Sequence, residues 1–505
     1  MFTDEALDAV SVRSLWRKSH QAAQDSRGCQ TRALDRAEAE VQTVSTAVGC
    51  TQTELQERAA ERLFQQNQNE PEPPGLRDFL QRVEDTVIRE LVRNARSHAF
   101  DGFQANWEDH SQQISLIHSL QHPRAQEEGL HVTSVSWSCT GSVIACAYGR
   151  IDTGDWSTDS SCVCTWNLDR RGLRPNQADL VIDVPTLVTA LCCHPSQPAL
   201  IAGALYSGEV VVWDTSRIQD PVVAQTGLSA DSHREPVHQV SWVPLQKKGE
   251  FGVLSACSGG RVLLWAVDLE QGRFVQSAAY ALLQQQVPHS SSSFKAPSSS
   301  SSVGITSMAL SPWDSDTFLV GSEGGLLLRC SFSSQTLAAA PFESQSVTPR
   351  APAVFSFRPR SGPVHSIHYS PFHRNLFVSA STDGLAHLHS LLQTSPLLSL
   401  RVSDSYVFQV QWSPTRPLVF AAATGQGEVQ MFDLSRRSLR PAATIKQGAT
   451  GQAATCLAFN CQNPHLLAVG KTDGTVSIWQ LSADLTEQRP RESDQLEKIA
   501  NQVAE

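Results

Sequence analysis

The sequence predicts an all-β chain: a ring of seven four-stranded blades, preceded by a disordered tail and one amphipathic α-helix. Three observations predict it. A unit of short strands recurs seven times between about residues 130 and 482, each unit closes on a characteristic residue, and the N-terminal third fits no such unit.

Each copy opens on an alternating strand that ends at an aromatic or apolar residue and a short turn. These turns read Trp137-Ser138, Cys193-His194-Pro195, Trp242-Val243-Pro244, Leu310-Ser311-Pro312, Tyr369-Ser370-Pro371, Trp412-Ser413-Pro414 and Phe459-Asn460. An apolar strand of small residues, a Gly turn and a last strand follow. The Gly turns include Ser207-Gly208, Gly259-Gly260, Gly324-Gly325, Asp383-Gly384, Gly427 and Asp473-Gly474, and Gly suits them because it tolerates positive φ. The closing residues are Trp166, Trp213, Trp265, Cys330, His389, Phe432 and Trp479, at spacings of 47, 52, 65, 59, 43 and 47. A period in the forties with four short strands per unit is the pattern of a WD-repeat β-propeller. One blade is apolar on both faces and cannot fold alone, whereas radial packing buries those faces and leaves short sheet edges. The closing Trp puts a large apolar body between neighbours. Cys330 and His389 lack the aromatic ring, so the count of seven rests there on spacing.

Insertions account for the irregular spacings. A Ser-rich run from about Val287 to Val303 cannot bury apolar surface and is expected to be a disordered loop between blades. A second extended connection, from about Ser333 to Pro352, is expected to separate the next pair of blades. The first unit carries Arg150 to Ser161, where Trp156 is read either as an exposed partner anchor or as a loop Trp folded onto its own blade.

The expected boundaries are a tail over residues 1–75, a helix and brace segment over 76–112, the propeller over 113–485 and a C-terminal tail over 486–505. The tail holds few aromatics and ends in a polar, Pro-rich linker, Asn67 to Gly75, so disorder is expected. Within it Gln-Thr recurs as Cys29-Gln30-Thr31, Val41-Gln42-Thr43 and Thr51-Gln52-Thr53, of which the last alone is a full TQT. An extended stretch of ten residues reaches about 33 Å, enough to seat each motif on its own small partner. Such motifs bind by adding a strand to a partner's sheet edge, and three weak copies gain by avidity. The plain alternative is composition, since Gln and Thr are common here. A weaker helix is read from Glu54 to Gln66.

Leu76, Phe79, Leu80, Val83, Val87 and Leu91 recur at helical offsets, Ile88 and Val92 widen the stripe, and charged residues take the rest. This predicts an amphipathic helix of about 18 residues, entered after Pro74-Gly75. Its apolar face needs a cover: the propeller's own surface, a partner protein or a homologous helix. The aromatics from Phe100 to Trp107 suggest a brace against the propeller.

The chain has 505 residues, 40% of them hydrophobic, and a net charge of −10. No Lys/Arg run reaches five residues, so neither a nucleic-acid nor an anionic-membrane surface is indicated. No apolar run approaches the roughly 20 residues that span a bilayer, and the first residues lack a signal-peptide pattern, so an intracellular protein without membrane insertion is expected. Of the 12 cysteines, Cys192-Cys193 are adjacent and Cys162 and Cys164 are two apart; neither spacing is a zinc or redox signature, and buried reduced thiols are expected.

The order of disordered tail, Gln-Thr motifs, amphipathic helix and WD-repeat domain resembles the dynein intermediate chains, and within them the cytoplasmic dynein-2 branch that serves intraflagellar transport. The stretches that carry the likeness are Ser97-His98-Ala99-Phe100-Asp101-Gly102-Phe103, Gly129-Leu130-His131-Val132-Thr133-Ser134, the run ACAYGRIDTGDW from Ala145 to Trp156, Trp166-Asn167-Leu168-Asp169-Arg170-Arg171, Leu205-Tyr206-Ser207-Gly208-Glu209-Val210 and Ser370-Pro371-Phe372-His373-Arg374-Asn375-Leu376. It covers nearly all the chain from residue 76. The resemblance implies that Gln30, Thr31, Gln42, Thr43, Thr51, Gln52 and Thr53 look like sites for the dimeric light chain that reads TQT. It implies that the helix carrying Leu76, Phe79, Leu80, Val83, Val87 and Leu91 sits where a roadblock-type light chain binds. The propeller is similar to those that grip a dynein heavy chain, with a second intermediate chain held alongside. Cytoplasm, cytoskeleton and cilium, including axoneme and basal body, are the implied locations. Cys29 and Val41 depart from the first Thr of TQT.

No GxxxxGK[ST], HExxH or GxSxG motif occurs, so no ATP hydrolysis, no catalytic residue and no cofactor are expected. His194, His365, His368, His387 and His389 read as hydrogen-bonded blade residues, and the pair His387 and His389 shares a strand face without an evident third metal ligand. Asp383, Asp433 and Asp473 are expected to order turns. The competing reading is a generic WD-repeat adaptor, such as a ubiquitin-ligase substrate receptor or a signalling scaffold, since a fold does not fix a function.

Overall fold

The computed structural model describes residues 75–95, 114–150, 161–245, 249–288, 301–339, 346–436, 440–446 and 452–502. The Gln-Thr motifs, the Glu54–Gln66 helix, the brace aromatics, Trp156 and most of the Ser-rich run lie outside these residues. The chain divides into two units, residues 1–104 and 105–505.

In the first unit, α1 spans Leu76–Ala95. Gly75, at φ +90°, starts it, and its carbonyl accepts from Phe79 N at 3.0 Å.

In the second unit, the strands assemble into seven four-stranded blades. Blades one to six take strands in chain order over residues 131–184, 188–225, 237–281, 305–356, 364–401 and 407–446. Blade seven takes three strands over 454–480, and its outer strand is Ser115–Gln121, which runs antiparallel to Thr475–Gln480. Both ends of the domain thus share one sheet, and the ring closes without an exposed edge at the seam. Blades two and three also meet at their outer strands through the parallel pair Gln225 and Arg273.

Second strands such as Leu200–Leu205, Leu376–Ser381 and Val419–Thr424 are buried along their whole length. A sheet covered on both faces reads as an unbroken apolar run, and small side chains let blades approach. Outer strands alternate instead: Leu398–Arg401 and Ala443–Lys446 bury one residue of four and expose the others in part. The predicted Gly turns all adopt positive φ, with Gly208, Gly260, Gly325, Gly384, Gly427 and Gly474 between +76° and +94°.

Every closing residue lies on the third strand of its blade, opposite an apolar residue of the second: Trp166 faces Ile144, Trp213 faces Ile201, Trp265 faces Val253, and Trp479 faces Leu467. Where the sequence lacks the Trp, the ring has moved one strand across. Cys330 faces Phe318, His389 faces Phe377, and Phe432 faces Phe420. Phe377 stacks on His389 with centroids 4.8 Å apart, and Phe420 stacks on Phe432 at 5.2 Å. Volume between blades is conserved by exchange across the strand pair.

The Ser-rich run falls between blades three and four, and its end is pinned where Ser302 pairs with Leu283. The Ser333–Pro352 connection does not separate two blades as expected: it lies inside blade four, because Leu327–Ser331 pairs with Ala353–Ser356 across it, and it turns back onto blade three, where Arg350 pairs with Tyr280 and Gln286 Nε2 donates to Leu337 O at 2.9 Å.

After blade seven come α3 (Ala483–Thr486) and α4 (Glu492–Asn501), α2 being the short helix Pro123–Glu127 that follows the closing strand. Leu496 and Ala500 of α4 are buried against Leu388, Phe420 and Phe432 of blades five and six. Arg416, wholly buried, pairs with Glu492 at the start of α4 and with Asp433 at 3.2 Å. The C-terminal segment is therefore docked onto the ring over residues 492–501.

Candidate functional site

The stripe on α1 comes from spacing alone: residues three and four apart lie above one another on a helix. Leu76, Phe79, Leu80, Val87, Ile88, Leu91 and Val92 are between 37% and 62% exposed, and Val83 is half-buried. A helix of 20 residues is about 30 Å long, so the stripe is a continuous apolar seam of that length. Charged residues flank it, among them Arg93, 3.6 Å from Glu90. A contiguous exposed apolar seam with a charged rim has the composition of a docking surface.

Polar groups inside the blades are engaged structurally. In blade three, Ser255 Oγ accepts from Trp265 Nε1 at 2.9 Å and meets His233 Nε2 at 2.7 Å. Burial, then the nearby Arg261 guanidinium, pushes the His233 pKa down to about 3. In blade five, Ser379 Oγ meets His389 Nε2 at 2.9 Å and accepts from Arg360 Nη1 at 2.9 Å, while Arg360 holds Asp383 at 2.6 Å. A serine beside a histidine has the parts of a nucleophile and base. Here Ser379 and His389 are fully buried, the carboxylate is committed to Arg360, and burial holds His389 neutral. The arrangement ties blade to turn and presents no atom to a substrate.

Asp383, Asp433 and Asp473 each accept a backbone N–H two residues on, from Leu385, Ser435 and Thr475, which orders the turn. His194 Nδ1 accepts from Ser196 N and Gln197 N. The rings of His387 and His389 lie 5.6 Å apart. Cys162 and Cys164 are buried with their sulfurs 3.9 Å apart.

One feature was not readable from residue types. Each first strand carries a register shift near its start, centred on Thr133, Thr189, His238, Thr306, His365, Phe408 and Thr455. Four are Thr, and each hydroxyl donates to the next blade: Thr133 to Val188 O at 2.6 Å, Thr189 to Val237 O, Thr306 to Val364 O at 2.6 Å, and Thr455 to Val132 O at 2.6 Å. The last bond joins blade seven to blade one. The three remaining positions carry rings, and those of His365 and Phe408 lie 5.8 Å apart.

Among the described residues no helix is long and apolar enough to cross a membrane. A family model described as the dynein axonemal intermediate chain 3 WD40 domain matches residues 281–481. The chain is similar to cytoplasmic dynein 2 intermediate chain 2 of Mus musculus, 48% identical over 99% of this chain and 92% of the relative. The protein of that name from Homo sapiens is likewise 48% identical over 99% of this chain and 92% of its own length. Cytoplasmic dynein 1 intermediate chain of Drosophila melanogaster is 26% identical over 70% of this chain and 49% of that protein.

Proposed function

The chain belongs to the cytoplasmic dynein 2 intermediate chain 2 family, and from that premise we propose that it is a non-catalytic scaffold of a dynein-2 motor. The propeller grips the heavy-chain tail. The α1 stripe takes a roadblock-type light chain, and the Gln-Thr motifs take the dimeric light chain that reads TQT. A second intermediate chain, held beside the first by these light chains, pairs two motors for retrograde intraflagellar transport and cilium assembly. The protein then works in the cytoplasm and on the cytoskeleton of the cilium, at axoneme and basal body.

The observation that carries this reading is the exposed seam of α1, which precedes the propeller in the chain. Burying each half-exposed Leu, Val or Phe of the seam on a partner contributes on the order of 1 kcal/mol, so six or seven together support a stable complex. Affinity capture of the full chain from ciliated cells tests the proposal. Dynein-2 heavy chain and both light-chain types are the expected co-purifying proteins, and recovery of none of them with folded protein refutes it.

A further inference from the structure

A cluster of one histidine and two cysteines lies at the seam where the ring closes, outside any surface used above. The closing strand Ser115–Gln121 ends at His122, and the segment after it is fastened to blade one. Gln121 N donates to Pro175 O at 2.9 Å, and Arg124 bridges Glu128 at 2.8 Å and Asp183 at 2.5 Å. His122 is thereby held over the third strand of blade one, where Cys162 and Cys164 alternate onto one face. The ligand atoms of His122, Cys162 and Cys164 all lie within 4.8 Å of one another.

We propose that His122, Cys162 and Cys164 bind a zinc ion that clasps the ring's closing segment to its first blade. Tetrahedral zinc with thiolate bonds of about 2.3 Å places two sulfurs about 3.8 Å apart. The sulfurs of Cys162 and Cys164 stand at 3.9 Å. Two thiolates and one imidazole are a ligand set zinc uses with its fourth position open to water. A second observation points to the same place. Tyr148 faces Cys162 across the strand pair, its ring centroid is 6.3 Å from that of His122, and it is fully buried with no hydrogen-bond partner for its hydroxyl among the described residues. A water on the metal's open position gives that hydroxyl the partner it lacks. The half-buried His122 leaves a way in for the ion, and binding releases the two thiol protons to solvent. Soft thiolate ligands set the site apart from a calcium or magnesium site.

The test uses the reduced full chain, freed of metal with a chelator and titrated with zinc and, as a spectroscopic probe, cobalt(II). The wild-type chain is expected to take up one zinc ion that raises its melting temperature, and cobalt is expected to give thiolate charge-transfer absorption. Cys164→Ser leaves Cys162 as the one thiolate and is expected to cut that absorption by about half or more, and His122→Ala, a change at a half-exposed position, weakens zinc binding at least about tenfold. A folded wild-type chain that binds neither metal overturns the proposal. So does metal binding unchanged in both variants.

Discussion

Single polar atoms decide how well the blades hold. Ser255 Oγ serves both Trp265 and His233, which are themselves nearly wholly buried. Ser255→Ala strands an indole N–H and an imidazole nitrogen, and a loss of about 2–4 kcal/mol is expected in chemical denaturation. The same histidines make stability depend on pH. The folded-state pKa of His233 lies far below the ordinary 6.5, and that of His389 is lowered in the same direction by burial. The unfolded chain therefore binds more protons below about pH 6.5, so their contribution is intact above that value. The His233 share is lost as pH falls toward 3, at about 1.4 kcal/mol per unit, and the His389 share is lost in the same direction. The denaturation midpoint should drop between pH 7 and pH 5; a rise on acidification contradicts the assignment of both as neutral. Neither network was readable from the sequence, because His233 and Ser255 are 22 residues apart and only strand register joins them.

At the scale of elements, what was readable is what depends on local pattern. The third-strand residues, the Gly turns and α1 each have a spacing or a backbone demand that the sequence displays directly. The closing strand Ser115–Gln121 does not: its partner lies more than 350 residues away, and it precedes the first recurring unit. Helix α4 was likewise invisible, since a ten-residue helix with few apolar side chains gains its stability by docking. Two expectations belong to these elements. Arg416→Ala leaves buried Glu492 without its guanidinium and Asp433 with only the Arg436 guanidinium, 3.9 Å away, and is expected to cost about 3–5 kcal/mol in chemical denaturation. Replacing both Leu80 and Val87 with Asp puts two charges on the α1 seam while leaving its helical spacing intact. Association with a roadblock-type light chain should fall at least tenfold by calorimetry, with helical circular dichroism unchanged; unaltered association removes that assignment.

At the scale of the molecule, the ring is one closed body whose ends are joined in blade seven, and the partner-binding segments are proposed to precede it in the chain. A closed ring tolerates changes in what precedes it, because among the described residues no blade takes a strand from before residue 115. Weak sites in series act together, so changing Gln30, Gln42 and Gln52 to Ala in one chain should reduce light-chain binding more than any single change does. Calorimetry on the tail measures this, and equal effects of single and triple changes argue against multivalency.

Tail and ring are proposed to divide the labour, the tail taking the TQT-reading light chain and the ring the heavy chain. The most direct measurement of that division is quantitative mass spectrometry of proteins captured from ciliated cells by the full chain and by a chain lacking residues 1–75. Selective loss of the TQT-reading light chain, with the dynein-2 heavy chain still bound, is the expected result. Retention of every principal partner after the deletion contradicts it and favours a generic propeller adaptor.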